Sequence, residues 1–144
     1  MQQFPHHYQV LAQGDPDAAI TVSAQGLPDL LTDAPAEFDG PGDKWSPETM
    51  LVATVANCFI LTFRSIARFS KLEWAEISCD VQGTLDRVDR VTHFTTMELK
   101  VKLTIPAGSD AEKAQRLLEK SEQNCLITNS LKATIKLHMD VQTG

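Results

Sequence analysis

Ser46-Pro47-Glu48-Thr49-Met50-Leu51-Val52-Ala53-Thr54-Val55-Ala56-Asn57-Cys58-Phe59-Ile60-Leu61-Thr62-Phe63 is the stretch that decides how this chain folds. Ser46 can accept from free backbone amides, Pro47 arrives with its φ preset for a first helical position, and Glu48 favours the positive end of the helix dipole. A helix therefore starts here. From Thr49 to Phe63 run fifteen residues without a charge, fewer than the roughly 20 that span a bilayer, yet no complete face is polar. Such a helix needs burial nearly all round. In a chain of 144 residues one sheet covers one side, which predicts that a second copy covers the other, as a homodimer.

Downstream, Ile77, Cys79, Val81, Gly83 and Leu85 alternate with Ser78, Asp80, Gln82, Thr84 and Asp86. The same parity returns at Met97, Leu99, Val101, Leu103 and Ile105. Period two marks two half-buried strands, and Arg87-Val88-Asp89-Arg90 joins them as an antiparallel hairpin. Ser109 or Asp110 can cap a second helix, whose Ala111, Ala114, Leu117, Leu118 and Ser121 face a sheet, opposite Lys113, Arg116, Glu119 and Lys120. Ala133, Ile135, Leu137, Met139 and Val141 alternate in a last strand. Upstream, Tyr8–Ala12 and Ile20–Ala24 flank Gly14-Asp15-Pro16-Asp17 as a hairpin, Leu27 to Asp33 offers a third short strand, and Pro35 to Lys44 reads as a surface loop. The order strands, long helix, hairpin, helix, strand predicts an α+β fold, with residues 1–144 as a single domain.

Charge is divided unevenly. Residues 1–43 hold seven acids and no Lys or Arg, whereas the remainder holds 13 bases and 12 acids, for a formal net charge of −6. That balance argues against a nucleic-acid partner, because no basic stripe offsets repulsion from a polyanion. Met1-Gln2-Gln3-Phe4-Pro5 shows no basic segment followed by an apolar one, so a cytoplasmic location is expected, with neither a secretory signal nor a membrane partner. The run Lys100, Lys102, Lys132 and Lys136 reads as a solvated sheet face.

Cys58, Cys79 and Cys125 are odd in number and lack C-x-x-C spacing, so neither a disulfide framework nor a zinc site is indicated. His93 and His138 share no metal-ligand spacing with them, and no metal or cofactor is expected. Cys79 lies on the apolar parity of its strand and belongs to the core. Taken alone, Cys58 in an apolar helix would also be an inert small hydrophobe.

Its surroundings point elsewhere. Ser46-Pro47-Glu48-x-x-Leu51-x-Ala53-x-x-Ala56-x-Cys58-Phe59, followed by Glu122-x-x-Cys125-x-Ile127-x-Asn129-Ser130-Leu131, resembles the OsmC/Ohr family of thiol-dependent hydroperoxide reductases. The resemblance covers the chain from Trp45 onward. It implies an intertwined α+β homodimer, with antiparallel sheets around a long buried central helix plus a second amphipathic helix, and active sites at the interface. It also implies catalytic roles for Cys58 as the sulfur that attacks a hydroperoxide, for Cys125 as the resolving thiol, and for Glu48 as the glutamate that holds an activating arginine. An external dithiol would reset the resulting disulfide.

In the family that arginine comes from the N-terminal strands, and residues 1–43 contain none. His6, His7, Arg64, Arg68, Arg87 and Arg90 are the cations that could replace it. On a continuous helix Glu48 lies about 15 Å from Cys58, so it reaches that sulfur only through a break in the helix or across the dimer. Phe59, Phe63 and Phe38 are candidates to line an apolar opening for alkyl or aryl peroxides. The competing reading is a non-catalytic dimer of the same fold that binds an apolar ligand or senses redox state.

Overall fold

The computed structural model describes residues 1–144 as two units, Met1–Met50 and Leu51–Gly144. The first carries β1 (Leu11–Gln13), β2 (Ile20–Ser23) and β3 (Leu30–Thr32) in an antiparallel sheet of that order. The expected hairpin and third strand are present, each shorter than the alternation suggested. The loop that follows contains one 3-10 turn, Ala36–Phe38. Tyr8, Val10, Leu11, Leu27, Leu30 and Leu31 stay exposed in the single chain, so this sheet has no core of its own.

The long helix α1 spans Pro47–Phe69. Ser46 and Thr49 cap it reciprocally: the Thr49 amide donates to Ser46 Oγ at 3.1 Å and the Ser46 amide to Thr49 Oγ1 at 2.9 Å. At the other end Lys71 takes a left-handed φ of 57°, which lets the Leu72 amide reach back to the Ala67 carbonyl at 2.9 Å. The helix outruns the charge-free stretch, and its 23 residues are by length and composition sufficient to cross a bilayer. Here, however, Val55, Phe59, Phe63 and Ala67 form a buried stripe packed into the core of the second unit. The expected burial on all sides is not met within one chain, since Leu61 is 50% and Phe69 89% exposed.

The second sheet is β4 (Glu76–Val88), β5 (Val91–Ile105) and β6 (Thr134–Thr143). β4 and β5 pair antiparallel up to Val88↔Val91, so the turn is only Asp89-Arg90, both residues at left-handed φ (51° and 67°). Parity within β5 changes at a bulge opposite Thr84/Leu85, which hid the strand's first residues from a period-two reading. β6 adds parallel to β5, making this sheet mixed instead of wholly antiparallel. The connection runs through α2 (Ala111–Asn124), capped by Asp110, whose side chain accepts from the Lys113 amide at 3.0 Å. Ala114, Leu117, Leu118 and Ser121 are its buried face, as expected, whereas Ala111, expected with them, lies exposed at the helix start. Inward, Met97, Leu99, Val101, Leu103 and Ile105 meet the α1 stripe in one apolar core. Outward, Asp80, Lys100 and His138 share one register row, while Lys102 and Asp140 pair in the next, so the lysines stand on a solvated face among opposite charges.

Candidate functional site

All three cysteines are free thiols, in three different settings. Cys58 is half-buried on α1, one residue from the core-facing Phe59 and hence turned off the buried stripe. Cys125 follows the last turn of α2, its amide donating to the Glu122 carbonyl, and is 1% exposed. The turn after it is held locally. The Asn129 amide donates to the Cys125 carbonyl at 3.0 Å, the Thr128 hydroxyl to the same carbonyl at 3.2 Å, and the Ser130 hydroxyl to the Leu126 carbonyl at 2.8 Å. The polar residues of the second motif thus build the turn that presents the thiol.

This turn brings Cys125 to Cys58. Burial pushes the Cys58 thiol up, but the Ile127 amide, the Cys125 thiol, the Thr62 hydroxyl and the Leu126 amide together outweigh it and hold Cys58 below its ordinary value. For Cys125 burial dominates in the other direction: despite the Thr128 amide and hydroxyl, burial and the Cys58 sulfur keep its proton on. Of the two sulfurs Cys58 is therefore the more acidic and Cys125 the less. Such a pair can divide the roles of attacking and resolving sulfur in disulfide chemistry.

No cation is among these groups. Arg64, Arg68, Arg87 and Arg90 are exposed and none acts on the Cys58 sulfur; neutral donors do so instead. Thr62 and the two amides were missed from sequence, although the i, i+4 spacing of Cys58 and Thr62 on a helix was a readable signal. Glu48 stands in the first turn of an unbroken α1, so about 15 Å of helical rise separates it from Cys58. Its Oε2 is buried without a hydrogen-bond partner. Cys79, on β4, is pushed up to about 12 by burial first and then by Asp80 and Cys125, the behaviour of an inert core thiol. Phe59 and Phe63 are fully buried against the sheet and line no opening, which corrects that expectation: the stripe that buries them is the one that anchors α1. His138 faces Glu98 at 3.6 Å on the outer sheet face, and His93 Nδ1 contacts the Phe94 carbonyl at 3.1 Å.

Residues 40–140 match the family described as OsmC-like protein. The chain belongs to the OsmC-like family. Among curated relatives, this OsmC-like chain is similar to the uncharacterized protein YmaD of Bacillus subtilis (strain 168), 25% identical over 142 residues, covering 94% of this chain and 93% of that one. Among solved structures, its fold is similar to an OsmC-like protein of unknown function from Vibrio cholerae, with a TM-score of 0.86 and 17% identity over 94% of this chain and 99% of that one. An organic hydroperoxide resistance protein from Elizabethkingia anophelis gives 0.75 and 19% over 98% and 100%. One named organic hydroperoxide resistance protein OsmC, from Legionella pneumophila, gives 0.71 and 22% over 96% and 99%. These three likenesses are of fold.

Proposed function

We propose that this OsmC-like protein reduces organic hydroperoxides, with Cys58 as the attacking sulfur and Cys125 as the resolving one. The observation that carries this reading is the opposite acidity of two facing thiols, Cys58 lowered and Cys125 raised. The Cys58 thiolate attacks the terminal peroxide oxygen; the O–O bond breaks, the alkoxide leaves and takes a proton, and Cys58 becomes a sulfenic acid. The Cys125 sulfur then displaces that oxygen as water, carrying off its own proton, and the disulfide forms. An external dithiol reduces it by exchange and is itself oxidised. The names of the Elizabethkingia and Legionella proteins agree with a peroxide substrate.

The working unit in this proposal is a cytoplasmic homodimer. The exposed side of α1 and the uncovered apolar sheet of the first unit are the surfaces a second copy would bury. Glu48, whose buried Oε2 has no donor within the chain, would find its partner across that interface. The decisive test is peptide mapping after one equivalent of cumene hydroperoxide. A single intrachain Cys58–Cys125 disulfide is expected, and a protein that keeps all three thiols under that treatment refutes the reading. The same disulfide formed once, with no turnover when dithiol is supplied, would favour a redox sensor, the reading that the lack of arginine in residues 1–43 motivates.

A further inference from the structure

We infer that Thr62 is a positioning residue for the Cys58 sulfur, its hydroxyl a neutral donor that favours the ionised form. Thr62 lies one helical turn after Cys58 on α1, and its Oγ1 stands 3.8 Å from Cys58 Sγ. A helical Ser or Thr hydroxyl ordinarily donates to the carbonyl three or four residues back. Its counterparts do so here: Thr54 Oγ1 donates to Leu51 O at 2.6 Å and Ser121 Oγ to Leu117 O at 2.7 Å. The Thr62 hydroxyl instead contacts the sulfur, which as a thiolate is the stronger acceptor.

The turn after Cys125 supplies the companions. The amides of Asn129, Ser130 and Leu131 are spent on carbonyls within that turn, whereas those of Leu126 and Ile127 act on Cys58. The titratable groups facing this sulfur are Cys125 and, behind it, Cys79 of β4, which interacts with Cys125. Neither carries a positive charge. A hydroxyl that stabilises the ionised form more than the protonated one lowers the pH at which the sulfur becomes reactive, without touching substrate. The inference deepens the hydroperoxide reading and rests on it for its catalytic consequence, while the acidity itself is measurable without peroxide.

The experiment follows iodoacetamide alkylation of Cys58 against pH in the full chain, resolved by peptide mass, for wild type, Thr62→Val, Thr62→Ala and Thr62→Ser. Thr62→Val and Thr62→Ala should each raise the midpoint by on the order of one pH unit, and Thr62→Ser should restore it. Thr62→Ala keeps the test open should the valine variant not fold. A midpoint unchanged in the hydroxyl-free variants, or not recovered in Thr62→Ser, overturns the inference. Cumene hydroperoxide consumption, assayed separately on wild type, separates the two claims: its absence defeats the peroxidase reading and leaves the midpoint shift standing.

Discussion

Cys125 stands beside Cys58, and the two thiols are shifted in opposite directions. Against the upward push of burial, the Ile127 amide together with Cys125, Thr62 and the Leu126 amide holds Cys58 below its ordinary value, whereas burial first and then the Cys58 sulfur hold Cys125 above it. A difference in acidity between two neighbouring thiols sets an order of events in the proposed reaction: the half-buried, more acidic Cys58 attacks first, and the buried Cys125 follows once an electrophilic sulfur forms beside it.

That order predicts an asymmetry between variants. Cys58→Ser should abolish dithiol-dependent hydroperoxide consumption, a loss of at least about a thousandfold given that thiolate attack is the chemistry removed. Cys125→Ser should instead permit one turnover and leave a sulfenic acid that dimedone traps on Cys58. Equal residual turnover in both, followed by peroxide assay, would contradict the division of roles.

Cys79 provides a stability test with a definite sign. Its native value near 12 lies above the ordinary 9.0, so the folded chain retains a proton that the unfolded chain releases. The stabilisation is fully present below about pH 9 and is lost as pH rises from there towards 12. Urea unfolding of wild type and Cys79→Ala at pH 7.5 and pH 10.5 should show the stability gap between them narrowing at the higher pH. A gap that is constant or widens would contradict the assigned protonation.

Gly83 of β4 lies directly under Val52 of α1. A Cβ there would lie 2.8 Å from Val52 Cγ2 and 3.0 Å from both Met97 Sδ and Phe94 Cε1. Gly83→Ala should therefore destabilise by about 1–3 kcal/mol through overpacking, read as a lower urea midpoint at unchanged slope.

The Asp89-Arg90 turn should respond in the opposite sense. Both residues occupy left-handed backbone, which costs a non-glycine residue about 1–2 kcal/mol. Arg90→Gly removes that strain but adds unfolded-state freedom, leaving a net gain of about 0.5–1 kcal/mol. Thermal unfolding of the variant should shift upward.

Leu61 is a large apolar side chain left half exposed on the outer side of α1, among Asn57, Arg64 and Ser65, and it should lie in the proposed dimer interface. Sedimentation of the wild-type chain at micromolar concentration should give a dimer, and Leu61→Asp should shift it towards monomer. A wild-type monomer under those conditions would remove the interface.

How far the sequence could be read follows from the range over which each signal acts. Ser46, Pro47 and Glu48 start α1 through contacts within one turn, and Asp110 caps α2 by the same short reach. The odd-numbered residues of β4 and the later part of β5 face the core because side chains alternate, so these elements were legible from local chemistry alone. The start of β5 was not, because the bulge opposite Thr84/Leu85 shifts parity by one residue. The roles proposed for Cys58 and Cys125 were legible only through a resemblance of motifs.

The amino-acid order by itself determined where helices begin, which strand faces are apolar, and that a thiol sits in a charge-free helix, since each depends on residues a few positions apart. Tertiary structure alone decided that β6 runs parallel to β5. It also placed the turn after α2 so that Cys125, two amides and Thr62 converge on Cys58. Acidity is set by burial and by donors arriving from distant segments, and no periodicity in a chain records which segments will meet.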